Sequence, residues 1–261
     1  MTRIKQLKIW TLCILLVLES ILFINTGITQ NYDIAIIGGA DGPTHIYLSP
    51  TLGKEPKAPA EDPVKKEDRV RQEAAEKGLL VLVNKENPVN KDYKPEDLEP
   101  IRYFATDRSP EGRYMRAEAA EYFHKMVDSA KEEGYTLKMT TAYRSYGFQQ
   151  ILWNNYVARE GEEEASRFSA RPGQSEHQTG FAVDVTSPTV DGKLSNEFGE
   201  TAEGLWLAGN AHRFGFILRY PKEKEHITGY MYEPWHFRYV GEEVATEIYE
   251  KGLTLEEYLS R

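Results

Sequence analysis

The stretch SEHQTGFAVD, residues 175–184, leads from a polar loop into an apolar segment. Its apolar, β-favouring residues predict a strand over Phe181 to Val185. His177 stands just before this strand, and Asp184 lies inside it. Because Gly180 lets the backbone turn sharply between them, a loop imidazole and a strand carboxylate can converge on one point.

A second polar group lies near the C-terminus, in the stretch EPWH at residues 233–236. Pro234 fixes its own φ and disfavours helical backbone at Glu233. This Glu-x-x-His is therefore not a helical pair of the kind found in His-Glu-x-x-His metallopeptidases. We expect a turn to bring Glu233 and His236 to the same cavity.

Together the two stretches supply two imidazoles and one carboxylate, from His177, Asp184 and His236. Catalytic zinc sites use three such protein ligands and keep a fourth position for water. Glu233 would then be a carboxylate that is not a ligand. Each residue alone has a more ordinary explanation, such as a packed histidine or an aspartate that bonds nearby backbone. A structural role stays open at this point, although the conjunction favours a metal site.

The composition excludes several classes of protein. The 261 residues include 32 Lys and Arg against 41 Asp and Glu, which gives a net charge of -9 and argues against a nucleic-acid binder. Their hydrophobic content of 40% is enough to bury a core. The single Cys rules out an intrachain disulfide and a Cys-x-x-Cys metal site, so imidazole and carboxylate would have to hold any metal ion.

The N-terminus has the pattern of an export segment. Arg3, Lys5 and Lys8 precede an apolar run from Ile9 to Ile24, as in a basic region followed by a hydrophobic region. We expect residues 1–30 to be a signal-anchor or a signal peptide. Because no small-x-small cleavage site follows, an uncleaved membrane anchor with its basic flank inside is favoured. The protein is then expected to be extracytoplasmic.

Two further segments precede the main domain. Residues 31–49 contain two short β-like runs around a Gly- and Pro-rich turn, which predicts a small juxtamembrane hairpin with no assigned function. Residues 50–77 begin with closely spaced prolines and are rich in Lys and Glu, so they are predicted to be a linker.

The remaining residues, 78–261, are predicted to form one domain. A buried strand is expected at Leu79 to Val83, and the spacing of apolar residues predicts a helix over Arg113 to Glu133. Arg144 is expected at the end of a strand that contains Met139. Helices and strands mix along the chain without a regular βαβ alternation, so the fold class is predicted to be α+β.

At these motifs the chain resembles the VanY-type D-alanyl-D-alanine carboxypeptidases and their LdcB-like L,D-carboxypeptidase relatives, zinc peptidases of the bacterial cell wall. The resemblance extends over about Gly78 to Arg261. The matching motifs, in chain order, are Tyr143-Arg144-Ser145, the Ser-x-His-x-x-Gly-x-Ala-x-Asp pattern of residues 175–184, Gly215-Phe216-Ile217-Leu218-Arg219-Tyr220-Pro221, and Glu233-Pro234-Trp235-His236 with its continuation to Gly241.

The resemblance implies a central, mainly antiparallel sheet flanked by helices, as in Hedgehog and DD-peptidase domains, and one bound zinc ion. It also implies roles for seven residues. By this resemblance the zinc ligands are His177, Asp184 and His236, the catalytic base is Glu233, and the substrate-binding residues are Arg144, Gln149 and Ser175.

The expected activity is removal of the C-terminal D-alanine from peptidoglycan stem peptides. Two alternatives remain. The first is an L,D-carboxypeptidase that acts on tetrapeptide stems and shares every motif quoted above. The second is a peptidoglycan-binding protein that contains zinc but has no turnover. Glu233 argues against the second, because a non-catalytic protein has little use for a carboxylate that is not a ligand.

Overall fold

The computed structural model describes residues 32–37, 45–50, 62–105 and 110–261. The strands are β1 Tyr32–Ile37, β2 His45–Pro50, β3 Leu98–Pro100, β4 Tyr114–Arg116, β5 Lys138–Thr141, β6 Ala182–Thr186, β7 Phe216–Leu218 and β8 His236–Tyr239. The α-helices are α1 Pro63–Glu76, α2 Ala117–Glu132, α3 Tyr146–Glu160, α4 Glu162–Phe168, α5 Ala202–Asn210, α6 Glu225–Thr228, α7 Glu242–Lys251 and α8 Leu255–Leu259.

The chain divides into two compact units, Met1–Glu61 and Asp62–Arg261. In the first unit, β1 and β2 pair antiparallel, with Tyr32 opposite Pro50 and Ile37 opposite His45. These are the two β-like runs recognised in residues 31–49. The export segment expected at residues 1–30 lies outside the described residues. Within the described ranges, no helix combines the length and apolar character needed to cross a membrane.

The second unit is built around a four-stranded sheet in the order β5-β6-β8-β7, in which every neighbouring pair is antiparallel. The two central strands are buried along their whole length. In their register Asp184 of β6 is directly opposite His236 of β8. Since opposite residues of paired strands point to the same face, the sheet itself brings these two side chains together.

The core lies between this sheet and the helices. Helix α2 buries Phe123, Met126 and Ala130 on one face, which is the spacing of an amphipathic helix. The ring of Phe123 contacts that of Phe216 on β7 at a centroid distance of 6.3 Å. Helix α7 adds its own buried residues, including Ile248. The predicted α+β fold with an antiparallel sheet flanked by helices is therefore confirmed.

The linker predicted over residues 50–77 is wrong in its C-terminal half, because residues 63–76 form helix α1. The Asp62 side chain accepts a hydrogen bond from the amide of Val64 and caps this helix. Pro63 occupies the first helical turn, where its missing N–H costs nothing. Val70 and Ala74 are buried in the domain core. The prolines of this region therefore precede the helix or begin it, and do not exclude it.

The strand predicted at Leu79 to Val83 is also wrong. These residues form a turn and an irregular segment, although Leu79, Leu80 and Val83 are buried as an inner strand would be. Their backbone is held in part by a side chain, since Nη2 of Arg238 donates to the carbonyls of Leu79 and Val81 at 2.9 Å each. An apolar run alone does not distinguish a buried strand from buried irregular backbone.

Candidate active site

Three of the predicted site residues meet in one buried cluster. Nε2 of His177 lies 3.3 Å from Oδ2 of Asp184, and Nδ1 of His236 lies 2.9 Å from Oδ1 of the same carboxylate. One potential ligand atom from each residue falls within 4.8 Å of the others. Two nitrogens and one oxygen at these separations fit the donor set of a catalytic zinc site.

The local backbone explains how His177 reaches the cluster. A short 3-10 turn, Glu176–Thr179, carries His177 and ends at Gly180, whose φ of 74° is left-handed and favours glycine. Nδ1 of His177 lies 2.6 Å from the carbonyl oxygen of Ala142. Since a carbonyl only accepts, Nδ1 carries the proton and Nε2 keeps its lone pair directed at the cluster.

Burial and charge shift the pKa values of the clustered residues. Burial alone would raise the pKa of Asp184, but His177 and His236 outweigh it and hold the pKa well below its ordinary value. Burial lowers the pKa of His177. Burial lowers the pKa of His236 as well, but the neighbouring carboxylates of Asp184 and Glu176 together outweigh burial and raise that pKa to about 9. The cluster thus supplies an anionic carboxylate and a neutral His177.

Glu233 lies beside the cluster and is 6% exposed. A turn at Pro234 and Trp235 follows it, and the amide of His236 donates to the Glu233 carbonyl at 3.1 Å. The turn expected from the EPWH stretch is present. Burial raises the pKa of Glu233 to about 8, against the opposing effect of His236. A carboxyl with a raised pKa next to a metal-type cluster is suited to accepting and releasing a proton.

Arg144 approaches the cluster from the end of β5, with Nη2 3.8 Å from Oδ2 of Asp184. Its Nη1 donates to Oε1 of Gln149 at 2.7 Å, and Nε2 of Gln149 donates to the Ala170 carbonyl at 2.6 Å. The Gln149 amide is therefore occupied at both ends. Gln149 is 1% exposed, and its hydrogen bonds indicate that it orients Arg144; its expected contact with substrate stays a prediction.

A cavity of about 320 Å³ opens onto these groups. Ser175 lines it and is buried at 6% exposure. The polar lining is partly enclosed by aromatic rings. The cavity is lined by Arg144, Ser175, Glu176, His177, Asp184, Glu233 and His236, and its aromatic lining consists of Tyr156, Phe168, Tyr220, Tyr230 and Trp235.

The sequence did not assign a function to several of these residues. The ring of Tyr220 stacks on His236 at a centroid distance of 4.9 Å and an interplanar angle of 26°, and it contacts the ring of Tyr230. Both tyrosines are buried. Glu176 also lies within the decisive stretch without a predicted role. Burial raises its pKa, but Arg219 and Arg238 reverse the effect and hold the pKa well below its ordinary range.

Residues 112–242 match the VanY family model, described as D-alanyl-D-alanine carboxypeptidase. YodJ of Bacillus subtilis (strain 168) is 44% identical over 199 residues, which cover 76% of this chain and 73% of YodJ. A solved structure of the LdcB LD-carboxypeptidase is 46% identical with a TM-score of 0.67, covering 70% of this chain and 86% of that one.

A second solved structure contains the metal. It is a variant of the vancomycin resistance D,D-pentapeptidase VanY from a VanB-type resistance cassette, in complex with Zn(II). It is 37% identical with a TM-score of 0.58, and the match covers 69% of this chain and 98% of that one. The matched range of the family model includes strands β6 and β8, which carry Asp184 and His236. The chain therefore belongs to the VanY family of D-alanyl-D-alanine carboxypeptidases.

Proposed function

We propose that this protein is a zinc-dependent carboxypeptidase that removes the C-terminal D-alanine from peptidoglycan stem peptides. The observation that carries the proposal is the single cavity that holds the His177, Asp184 and His236 cluster with Glu233 and Arg144 beside it. A VanY relative of this fold is known with Zn(II), and the donor set here suits the same ion.

His177, Asp184 and His236 are proposed to hold one zinc ion. A zinc ion in such a set lowers the pKa of water toward about 7 and polarises the scissile carbonyl. Glu233 takes the proton of the attacking water at its carboxylate and passes it to the departing amine of D-alanine. Because burial brings the pKa of Glu233 to about 8, close to neutral pH, this carboxyl can exchange a proton in both directions.

Arg144 is proposed to bind the substrate. A carboxypeptidase has to recognise a free terminal carboxylate, and the planar fork of arginine matches that group with two hydrogen bonds. Arg144 is 15% exposed at its side chain, and its Nη1 is held by Gln149. A fixed guanidinium at the cavity wall orients the peptide terminus relative to Glu233. Ser175 adds a neutral hydrogen-bonding group on the same wall.

A second candidate is cleavage of the L,D bond of tetrapeptide stems. The similarity to the LdcB LD-carboxypeptidase, at 46% identity, favours it. The VanY match and the Zn(II)-bound D,D-pentapeptidase favour the D,D reaction. The groups that perform the chemistry are the same in both reactions, so the two differ only in the residue that precedes the terminal D-alanine.

Product analysis on the full-length protein tests both reactions. Pentapeptide and tetrapeptide stems are incubated separately with the zinc-loaded protein, and the masses of the products are determined by mass spectrometry. Loss of one alanine from the pentapeptide supports D,D cleavage, and loss from the tetrapeptide alone assigns L,D cleavage. If neither peptide is shortened while zinc is bound, the protein is a zinc-containing binding protein and the proposed activity is wrong.

Export is part of the proposed function, because stem peptides are reached outside the cytoplasm. The basic residues before the apolar run of Ile9 to Ile24 support an N-terminal export segment that keeps the protein at the membrane. Fractionation of cells into membrane and soluble material, with the full chain followed by antibody, tests this location.

A further inference from the structure

A fully buried ionic cluster lies directly behind the proposed metal site. Oε1 of Glu176 accepts hydrogen bonds from Nε of Arg219 at 2.8 Å and from Nη1 of Arg238 at 2.9 Å. All three side chains are 0% exposed. Burying three charges is costly unless each is paired. The function proposed so far does not explain why this position carries an ionised carboxylate.

Both arginines are held on their far sides as well. Arg238 donates through Nη2 to the carbonyls of Leu79 and Val81, at 2.9 Å each. Arg219 makes a two-pronged ion pair with Glu256, at 2.9 and 2.6 Å. Each arginine is therefore paired on both sides, while Glu176 is held directly by its two hydrogen bonds from Arg219 and Arg238.

The second oxygen of Glu176 points toward the metal site. Oε2 lies 3.6 Å from Nε2 of His236, which is longer than a hydrogen bond but within ion-pair range. Both atoms are buried, and within the described residues neither has a hydrogen-bond partner. An ionised carboxylate oxygen only accepts, and an imidazole nitrogen that carries a proton donates. The two unpaired atoms are therefore complementary.

The opposite edge of the same ring faces the ligand cluster. Nδ1 of His236 lies 2.9 Å from Oδ1 of Asp184, while Tyr220 stacks on the ring face. The two nitrogens thus have different surroundings. Nε2 faces the carboxylate of Glu176, and Nδ1 donates to the anionic Asp184, so Nδ1 has to release that proton to bind a metal ion.

We propose that Glu176 is a positioning residue that holds a proton on Nε2 of His236, so that Nδ1 presents its lone pair to the metal ion. This role rests on the proposed zinc-dependent function. The arginines keep Glu176 an acceptor, so a proton on Nε2 keeps its partner when Nδ1 releases its own proton to make way for the metal ion. Partners of this kind on the non-ligating nitrogen orient metal-binding histidines in other proteins and raise their basicity.

Glu176→Gln tests the role, because glutamine cannot present acceptors to both sides. Its amide must turn an N–H₂ group either toward the two arginines or toward Nε2 of His236. The matched control is Glu256→Gln, which removes a different carboxylate from the same Arg219. We expect zinc affinity, measured by competition with a chromophoric chelator, to fall about 10- to 100-fold in Glu176→Gln and to stay at the wild-type value in Glu256→Gln.

Two measurements keep the test decisive if Glu176→Gln folds poorly. Thermal unfolding of the metal-free variants separates loss of folding from loss of zinc affinity, since both substitutions leave Arg219 without one carboxylate. In the zinc-loaded wild type, ¹⁵N chemical shifts of the His236 ring are expected to show a proton on Nε2 and metal on Nδ1; the reverse assignment overturns the role. Failure of the wild type to bind zinc overturns the proposed function as well. Equal zinc affinity in wild type and folded Glu176→Gln overturns only the role of Glu176.

Discussion

Oε2 of Glu233 lies 4.0 Å from Nδ1 of His236, and a turn rather than a helix joins the two residues. The two side chains therefore approach one cavity from the two ends of this turn. Glu233 is near enough to act on a water molecule at the cluster, yet it does not belong to the group of three metal-type ligands. The metal ligands and the proposed base are therefore different residues, which can be removed separately.

Glu233→Gln should bind zinc at wild-type stoichiometry and lose turnover by about 10²- to 10⁴-fold, the usual contribution of general acid–base catalysis. Metal content by elemental analysis and D-alanine release measure the two effects. Glu197→Gln, at an exposed glutamate, is the control and should behave as wild type. Full activity in Glu233→Gln would mean that another group is the base.

His177→Ala should lose stoichiometric zinc, because a buried ligand is removed and the apolar methyl group cannot replace it. The zinc content after gel filtration is the measurement. His226→Ala, which changes an exposed histidine, should keep its metal. Retention of one zinc ion per chain by His177→Ala would contradict the ligand set.

Arg144→Lys should lower kcat/KM for stem peptides by about 10- to 100-fold, since a hydrogen bond to a charged group contributes about 1.5–3 kcal/mol and lysine lacks the planar fork. Most of the loss should fall on KM, because the contact with the terminal carboxylate exists before the bond breaks. Arg171→Lys serves as the comparison: Arg171 is exposed and paired with Glu162. Unchanged kinetics in Arg144→Lys would remove this residue from substrate binding.

Zinc removal should destabilise the folded protein. A ligand present at about 100 times its Kd stabilises the native state by about 2.7 kcal/mol, so chelation should lower the midpoint of thermal unfolding and re-addition of zinc should restore it. The same titration on His177→Ala should produce no shift. A wild-type midpoint that does not respond to zinc would show that the folded state does not bind it.

Gly180→Ala should destabilise the fold more than Gly192→Ala. Both glycines have left-handed φ angles, 74° and 72°, and an alanine there costs roughly 1–2 kcal/mol. At Gly180 the added methyl would also lie 3.0 Å from Cγ of Arg116 and 3.1 Å from Cδ2 of Leu98, whereas Gly192 has open space. Urea midpoints compare the two variants, and equal costs would show that the contacts at Gly180 relax freely.

The sequence predicts the fold class and the clustered residues well, because local signals mark them. Gly180 marks the turn that carries His177, and Pro234 excludes a helix between Glu233 and His236. Both signals act within a few residues. The antiparallel pairing of β6 with β8 then brings the two stretches together. The sequence pattern of each strand does not by itself specify this pairing.

The missed features depend on contacts between distant parts of the chain. Helix α1 is polar on most of its surface and is held through Val70 and Ala74, which meet a core supplied by other elements. The Leu79 segment is fixed by a side chain of β8, Arg238. Glu176 accepts hydrogen bonds from Arg219 and Arg238, which lie more than 40 positions away along the chain. No local pattern reports such partners.

The pairing of β6 with β8 also has a consequence for assembly of the protein. Asp184 and His236 occupy directly opposite positions, so a slip of one residue between the strands would turn His236 to the other face of the sheet. In a molecule folded in the wrong register, His236 could not join His177 and Asp184 in one metal site. Zinc binding would then distinguish correctly paired chains from mispaired ones. The fraction of chains that retain zinc would measure the fraction of correctly folded molecules in a preparation.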